Sequence, residues 1–437
     1  MACDYASEAL AQPPSFSCFQ PFSTRGPASP GVIVASPALQ VQTDVHFLWQ
    51  HFVQHTSKGF LIWDSNIWLG DKAAEDPYAT GLPDMATASL PLYYAALALS
   101  AFHYNGSTGD NSLCELQTTY ERKAIQALAE NPSNAAQSPE HYLHTVTCIM
   151  LLCTSSPGVY ADLLPLARSA AACLLNERSL ITLNPDQLSV AMMLVRWCEV
   201  CVLCSFRSTT RLSEKSIHSL LEDMADDEEV KNPTTFKNWI IHPLYGFSRH
   251  LIRPLLKMAR LTRDLQNAET WPTRLFSLEA EIVELEAQLL EAREDDTKAT
   301  GACPIRHNCL LHLNEAIHSS AIIIFYTRLR DLHWTNYLIR THVETVCSEL
   351  SYLDRHSRIS LAIIFPCFVA GCEAVDATAR QRILSLLDDL KGNWLGRTSR
   401  MAQCLQHVWA IRDQDPGATW MTWNKKVSPQ FADCIPC

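Results

Sequence analysis

The sequence predicts an all-α protein: a large multi-helix array preceded by a disordered tail. Glycine is scarce, with 14 residues in 437, and the Val/Ile/Thr-rich alternating runs that make half-buried strands are rare. Apolar residues instead recur at helical spacing in stretches of roughly 12–20 residues, separated by short polar breaks. With 47% hydrophobic residues, the chain can bury one large core or two modest ones.

Residues 1–38 hold Pro13, Pro14, Pro21, Pro27, Pro30 and Pro37 among Ser, Ala and Gln. Such a composition buries too little apolar surface to offset chain entropy. A disordered Pro-rich tail is therefore expected over 1–38 and an all-α domain over 39–437. From Asp44, the segment VHFLWQHFVQHTS sets Val45, Leu48, Trp49, Phe52 and Val53 on one helical stripe. The next helix is read in SLPLYYAALALSAFHYN, with Pro91 in its first turn and Asn105-Gly106 at its end. Helices follow over Leu113–Glu130, Glu140–Cys153, Tyr160–Leu175 and Pro185–Ser205. The acidic segment Glu222–Pro233 reads as a solvated loop.

HPLYGFSRHLIRPLLKMARL places Leu251, Leu255, Met258 and Leu261 on one side of a helix. Leu275, Leu278, Ile282, Leu285 and Leu289 then alternate three and four residues apart, with glutamates between them. That stripe fits a helix packed in the domain or, as the alternative, a homodimer seam, although it is short for a free coiled coil. Asp295–Cys303 reads as a polar break, and long helices are expected from His307 and over Thr341–Leu353. The last helices come from LAIIFPCFVAGCEA, DATARQRILSLLDDLKGN and RTSRMAQCLQHVWAIRD. Asp376 is placed to cap the second of these and Gly392 to stop it, with Ile383, Leu386, Leu387 and Leu390 as its buried stripe.

Charge and cysteine usage narrow the function classes. The formal charge of −11 argues against a duplex-coating surface, which needs clustered Lys and Arg to replace condensed counterions. The 17 cysteines are scattered and odd in number, and most lie inside apolar helical patterns where a thiol packs as a small hydrophobe. A reducing compartment, cytosol or nucleus, is expected. No uninterrupted apolar run reaches the roughly 18–20 residues that span a bilayer. The best candidate, Leu361–Cys372, is shorter and contains Pro366, so no membrane partner is expected.

Searching for reactive chemistry gives no site. Cys198, Cys201 and Cys204 have the C-x2-C-x2-C spacing of an iron–sulfur run, but the fourth position is Ser208 and a helix spreads the thiols. His51 and His55 share a helix face, with Gln54 where a metalloprotease would carry Glu, and read with His46 as ordinary histidines. His307 and His312 beside Cys303 and Cys309 lack a zinc-binding spacing. Neither a G-x-S-x-G elbow nor a G-x-x-x-x-G-K-[ST] or G-x-G-x-x-G loop occurs. The pairs Asp388/Asp389 and Glu294/Asp295 read as exposed charges. No residue is assigned a catalytic, cofactor-binding or metal role, no cofactor is expected, and the chain is not expected to be an enzyme.

The ordered series HFLWQHFVQHTS, HPLYGFSRHLIRPLLKMARL, LNEAIHSSAIIIFYTRL, FPCFVAGCEA, HVWAIRD and Trp420-x-x-Trp423 resembles the fungal-specific transcription factor domain. This is the helical regulatory region that accompanies zinc-cluster DNA-binding domains. The resemblance spans most of Asp44–Trp423. It implies a nuclear transcription regulator of metabolic or specialised biosynthetic genes, acting through protein partners such as a DNA-bound factor or co-regulator. The family's six-cysteine zinc cluster has no counterpart here, since the first hundred residues hold only Cys3 and Cys18, so direct DNA binding by that route is not expected. A cytosolic helical scaffold, or an enzyme whose site is assembled from distant residues, is the alternative.

Overall fold

In the computed structural model, residues 37–60, 77–109, 111–130, 138–156, 160–176, 183–204, 246–268, 275–300, 308–353, 358–390 and 398–431 are described. All secondary structure of any length among them is helical, as expected, with no strands. The chain divides into a short unit, Met1–Phe47, and a large one, Leu48–Cys437. The expected tail over 1–38 lies outside the described residues except for Pro37 and Ala38, which open the first helix.

Helix α1 (Pro37–His51) runs into a π turn, Phe52–Thr56, and a 3-10 turn, Ser57–Phe60. From its stripe, Leu48 and Phe52 are buried in the large unit's core. Helix α2 (Pro77–Ala88) has no counterpart in the sequence reading, and it holds Gly81 and Pro83, both unfavourable inside a helix. Burial decides otherwise: Tyr78, Leu82, Met85 and Ala86 recur at helical spacing and are all buried. Tertiary packing thus outweighs local propensity.

Helix α3 (Leu90–Thr108) continues past the expected stop at Asn105-Gly106 and ends at Gly109, whose φ of 69° is the left-handed conformation that favours glycine. Asn105 is instead a staple: its Oδ1 accepts from the Leu113 amide at 3.3 Å, just ahead of α4 (Cys114–Glu130). Helices α5 (Pro139–Ser155), α6 (Tyr160–Asn176) and α7 (Pro185–Val202) follow within a few residues of expectation. Helix α3 packs on α4 and α5, α5 on α6 and α7, and α7 on α2.

Helix α8 (Arg249–Ala268) buries Leu251, Leu255, Met258 and Leu261, the side anticipated for it, and packs against α7. Helix α9 (Leu275–Thr300) runs through the expected break at Asp295; no glycine or proline interrupts it before Gly301. Its stripe Leu278, Ile282, Leu285 and Leu289 is buried in the core, so this stripe is not a dimer seam. The acidic segment Glu222–Pro233 and the expected stop Gly392 lie outside the described residues.

Helix α10 (Asn308–Ile324) continues as a π turn, Phe325–Leu329, and pairs with α11 (Tyr337–Ser351). Over Cys309–Leu329 it has the length and apolar composition of a membrane span, so it replaces Leu361–Cys372 as the best such segment. Its polar groups are bonded within the fold: Asn314 and His318 to Asp296, Ser320 to the Ala316 carbonyl, and Ser319 to His342. It is a core helix of the array.

Helix α12 (Ile364–Glu373) has every residue buried and touches α10, α11, α13 (Ala377–Asp389) and α14 (Thr398–Gln414). The Asp376 carboxylate caps α13 as expected, accepting from the Ala379 amide at 2.7 Å, and Ile383, Leu386, Leu387 and Leu390 are buried. At Gly371 the side chain of buried Leu405, from α14, packs so closely on α12 that a Cβ would lie 2.7 and 2.9 Å from its two methyls. Gly371→Ala is therefore expected to lower stability by about 1–3 kcal/mol through overpacking, read as a lower urea midpoint at unchanged slope. The short helix α15 (Trp420–Trp423) closes this end with both tryptophans buried.

Candidate functional sites

Four polar centres stand out in the helical array, and sequence reasoning singled out none of them as a unit. The most heavily bonded is Asp296, near the end of α9. Its Oδ1 accepts from the Ser248 hydroxyl at 2.6 Å and His250 Nδ1 at 2.8 Å. Its Oδ2 accepts from Asn314 Nδ2 at 2.8 Å and His318 Nε2 at 2.7 Å. Ser248 also caps α8 by accepting from the His250 amide, and its own amide donates to Asn314 Oδ1. Burial alone would raise the Asp296 carboxyl; hydrogen bonds from His250, His318, Ser248 and Asn314 outweigh it and hold the group well below the usual carboxylate range. Serine, histidine and aspartate meet here, but both Ser248 and His250 bond to the aspartate, so no base is set against the hydroxyl. The cluster ties α8, α9 and α10 together.

A second centre lies between α6, α7 and α8. Glu199, fully buried on α7, receives Arg168 in a bidentate pair at 2.5 and 2.8 Å, and Arg263 approaches it at 3.5 Å. Cys198 and Cys201 on α7 and Cys204 in the turn that follows are all buried.

The third centre joins the C-terminal segments. Arg412 on α14 pairs with Glu373 at 3.0 Å, donates to the Cys372 carbonyl and lies over the Trp423 ring at 5.5 Å. Arg328 lies over Trp420 at 4.8 Å. Burial lowers Arg328 from its ordinary value, while nearby Cys204, Cys372 and Glu373 act the other way. The apolar run, the HVWAIRD helix and the W-x-x-W end thus meet in one place.

The fourth is a histidine cluster at the end of α1. His51 lies 5.0 Å from His55 and 4.9 Å from His103 between ring centres, with Tyr104 edge-on at 5.5 Å. Thr56 Oγ1 bonds His103 Nδ1 at 2.9 Å. The sequence reading paired His51 with His55 but missed His103, which α3 brings from 52 residues beyond His51. Burial, then the charge of the other histidines, lowers His51 to about 4 and His103 to about 3. Below the ordinary value of 6.5, the unfolded chain binds protons that the folded chain refuses. Stability is therefore expected to fall as the pH drops from 6.5 towards 3, with thermal midpoints across that range as the readout. His103→Gln, which keeps a polar partner for Thr56 but does not titrate, should flatten the slope.

The remaining candidates from the sequence do not converge. His312 bonds Glu349 at 2.7 Å and stacks on Tyr352, while Cys303 and His307 lie outside the described residues. Among the described residues, no group of three or more His, Cys, Asp or Glu side chains is arranged to hold a metal ion. Asp388 and Asp389 are exposed on α13, as are Glu294 and, in part, Asp295 on α9.

No curated protein and no solved structure matches the chain. The family model of the fungal specific transcription factor domain matches residues 46–429, from the end of α1 to beyond α15. That span takes in all four polar centres and almost every described helix, and the chain belongs to the fungal-specific transcription factor domain family.

Proposed function

We propose that this chain is a transcription regulator that acts in the nucleus through protein contacts, as a co-regulator or as partner of a DNA-bound factor. The observation that carries the reading is the family match over residues 46–429. Net charge supports the protein-contact route: at −11 the chain is poorly suited to neutralise phosphates. Metabolic or specialised biosynthetic genes are the targets proposed for it, by analogy with the family and not from any residue.

The test uses the full chain in fungal cells. A tagged copy is expected in the nucleus and associated with chromatin. Fused to a heterologous DNA-binding module, it should change a reporter's expression several-fold. Exclusion from the nucleus under every condition would overturn the proposal, as would a silent reporter with normal protein levels.

A further inference from the structure

Helix α9 is apolar on two opposite faces. One carries the buried stripe Leu278, Ile282, Leu285, Leu289 and Ala292. The other carries Ala280, Val283, Ala287 and Leu290, again three and four residues apart, and all four are exposed, Val283 by 54% and Leu290 by 55%. That spacing places them at the a and d positions of a second, outward-facing heptad seam. On the same grid, the e positions are Glu284 and Glu291 and the flanking g positions are Glu279 and Glu286, so both edges of the seam are acidic. Arg330 reaches Glu279 at 2.5 Å and Glu286 at 3.3 Å, and Lys257 reaches Glu284 at 2.9 Å, which offsets part of this charge. Glu284 and Glu291 remain exposed beside the seam.

We infer that this face of α9 receives an amphipathic helix of a partner protein, with aliphatic residues along its seam and Lys or Arg at its flanking positions. The inference deepens the partner-mediated reading above and rests on it. Charge selects the occupant. A second copy would set Glu279 and Glu286 against Glu284 and Glu291 in a parallel pair, and each acidic edge against itself in an antiparallel one. A basic helix meets carboxylates on both sides instead. The alanines at 280 and 287 leave room for close approach, and Val283 and Leu290 supply the apolar anchors.

Two labelled synthetic helices of about four heptads test this, both with Leu along the seam, one with Lys and one with Glu at the flanking positions. Binding to the purified full chain is read by fluorescence anisotropy at about 0.15 M salt. The Lys helix is expected to bind at least about tenfold more tightly than the Glu helix. The double substitution Val283→Ser with Leu290→Ser should weaken it about tenfold, and Glu284→Lys with Glu291→Lys should reverse the preference. All four positions are exposed, so unchanged circular dichroism is expected for the variants. Equal binding of both helices, or of neither, overturns the inference. So does a Lys helix that ignores the serine pair, which would mean bulk charge only, or a dimer in light scattering that the serine pair dissolves. The peptide assay reads the surface alone, whereas nuclear exclusion would sink the regulator reading and leave the surface standing.

Discussion

Glu199→Ala is expected to destabilise the protein by about 3–5 kcal/mol, because it strips the anion from a buried pair and leaves its cations uncompensated. Glu199 is fully buried, Arg168 is 3% exposed, and the two share a bidentate contact between α6 and α7, with Arg263 approaching from α8. Removing the carboxylate therefore acts on three helices at once. The effect should appear as a large drop in the urea midpoint at pH 7. Replacing both partners, Arg168→Met with Glu199→Met, should recover most of the loss, since apolar side chains of similar volume avoid the desolvation cost of both charges. The cycle of single and double variants then measures the coupling directly. A Glu199→Ala protein within about 1 kcal/mol of the parent would mean that water or another cation relieves the site, and that the pair does not hold the three helices together.

Much of the fold was legible because helical periodicity is a local signal. The apolar stripes of α8, α9 and α13 could be read directly, and Asp376 capped α13 from its sequence position alone. What failed was punctuation. Helix α2, which holds Gly81 and Pro83, was not anticipated, Asn105-Gly106 suggested too early an end for α3, and a run of carboxylates at Asp295 looked like a break in α9. For α2 the deciding contacts come from residues distant in sequence, whereas α3 ends on the local Gly109 and α9 runs on because no glycine or proline interrupts it before Gly301. The sites were less legible still. Arg196 and Glu199 inside MMLVRWCEVCVLC, and Arg168 inside LLPLARSAAACLL, were readable signs of buried charge, since ionised residues in apolar helices are almost always paired. Their partners were not readable, and neither was the meeting of His51 with His103. Asp296 gave no sign at all: it stands in a run of acidic residues, and only the fold separates the buried carboxylate from its solvated neighbours.

For Asp296→Asn, the expected loss is about 2–4 kcal/mol, and its location matters as much as its size. The carboxylate accepts four hydrogen bonds, two on each oxygen. An amide keeps the volume, but its nitrogen is a donor, so one pair of donors, Ser248 with His250 or Asn314 with His318, would face another donor. The substitution should loosen the last turns of α9, where Asp296 sits, and the cap of α8, where Ser248 accepts from the His250 amide. Hydrogen exchange is expected to speed up by about tenfold or more for amides of 293–300 and 248–252, and far less in α13. The acid limb offers an independent check. The parent's carboxyl is held below its ordinary value of 3.8, so its contribution is complete above that value and is lost as the pH falls below it. Asp296→Asn should therefore be the less stable protein at pH 6, and the gap should narrow below pH 3.8 as the parent's carboxylate takes up its proton. The histidine cluster acts from 6.5 down to about 3, so between 6.5 and 3.8 it titrates without Asp296 and only below 3.8 do the two overlap. A gap that stays constant into acid would show that the junction does not depend on the ionised form of Asp296.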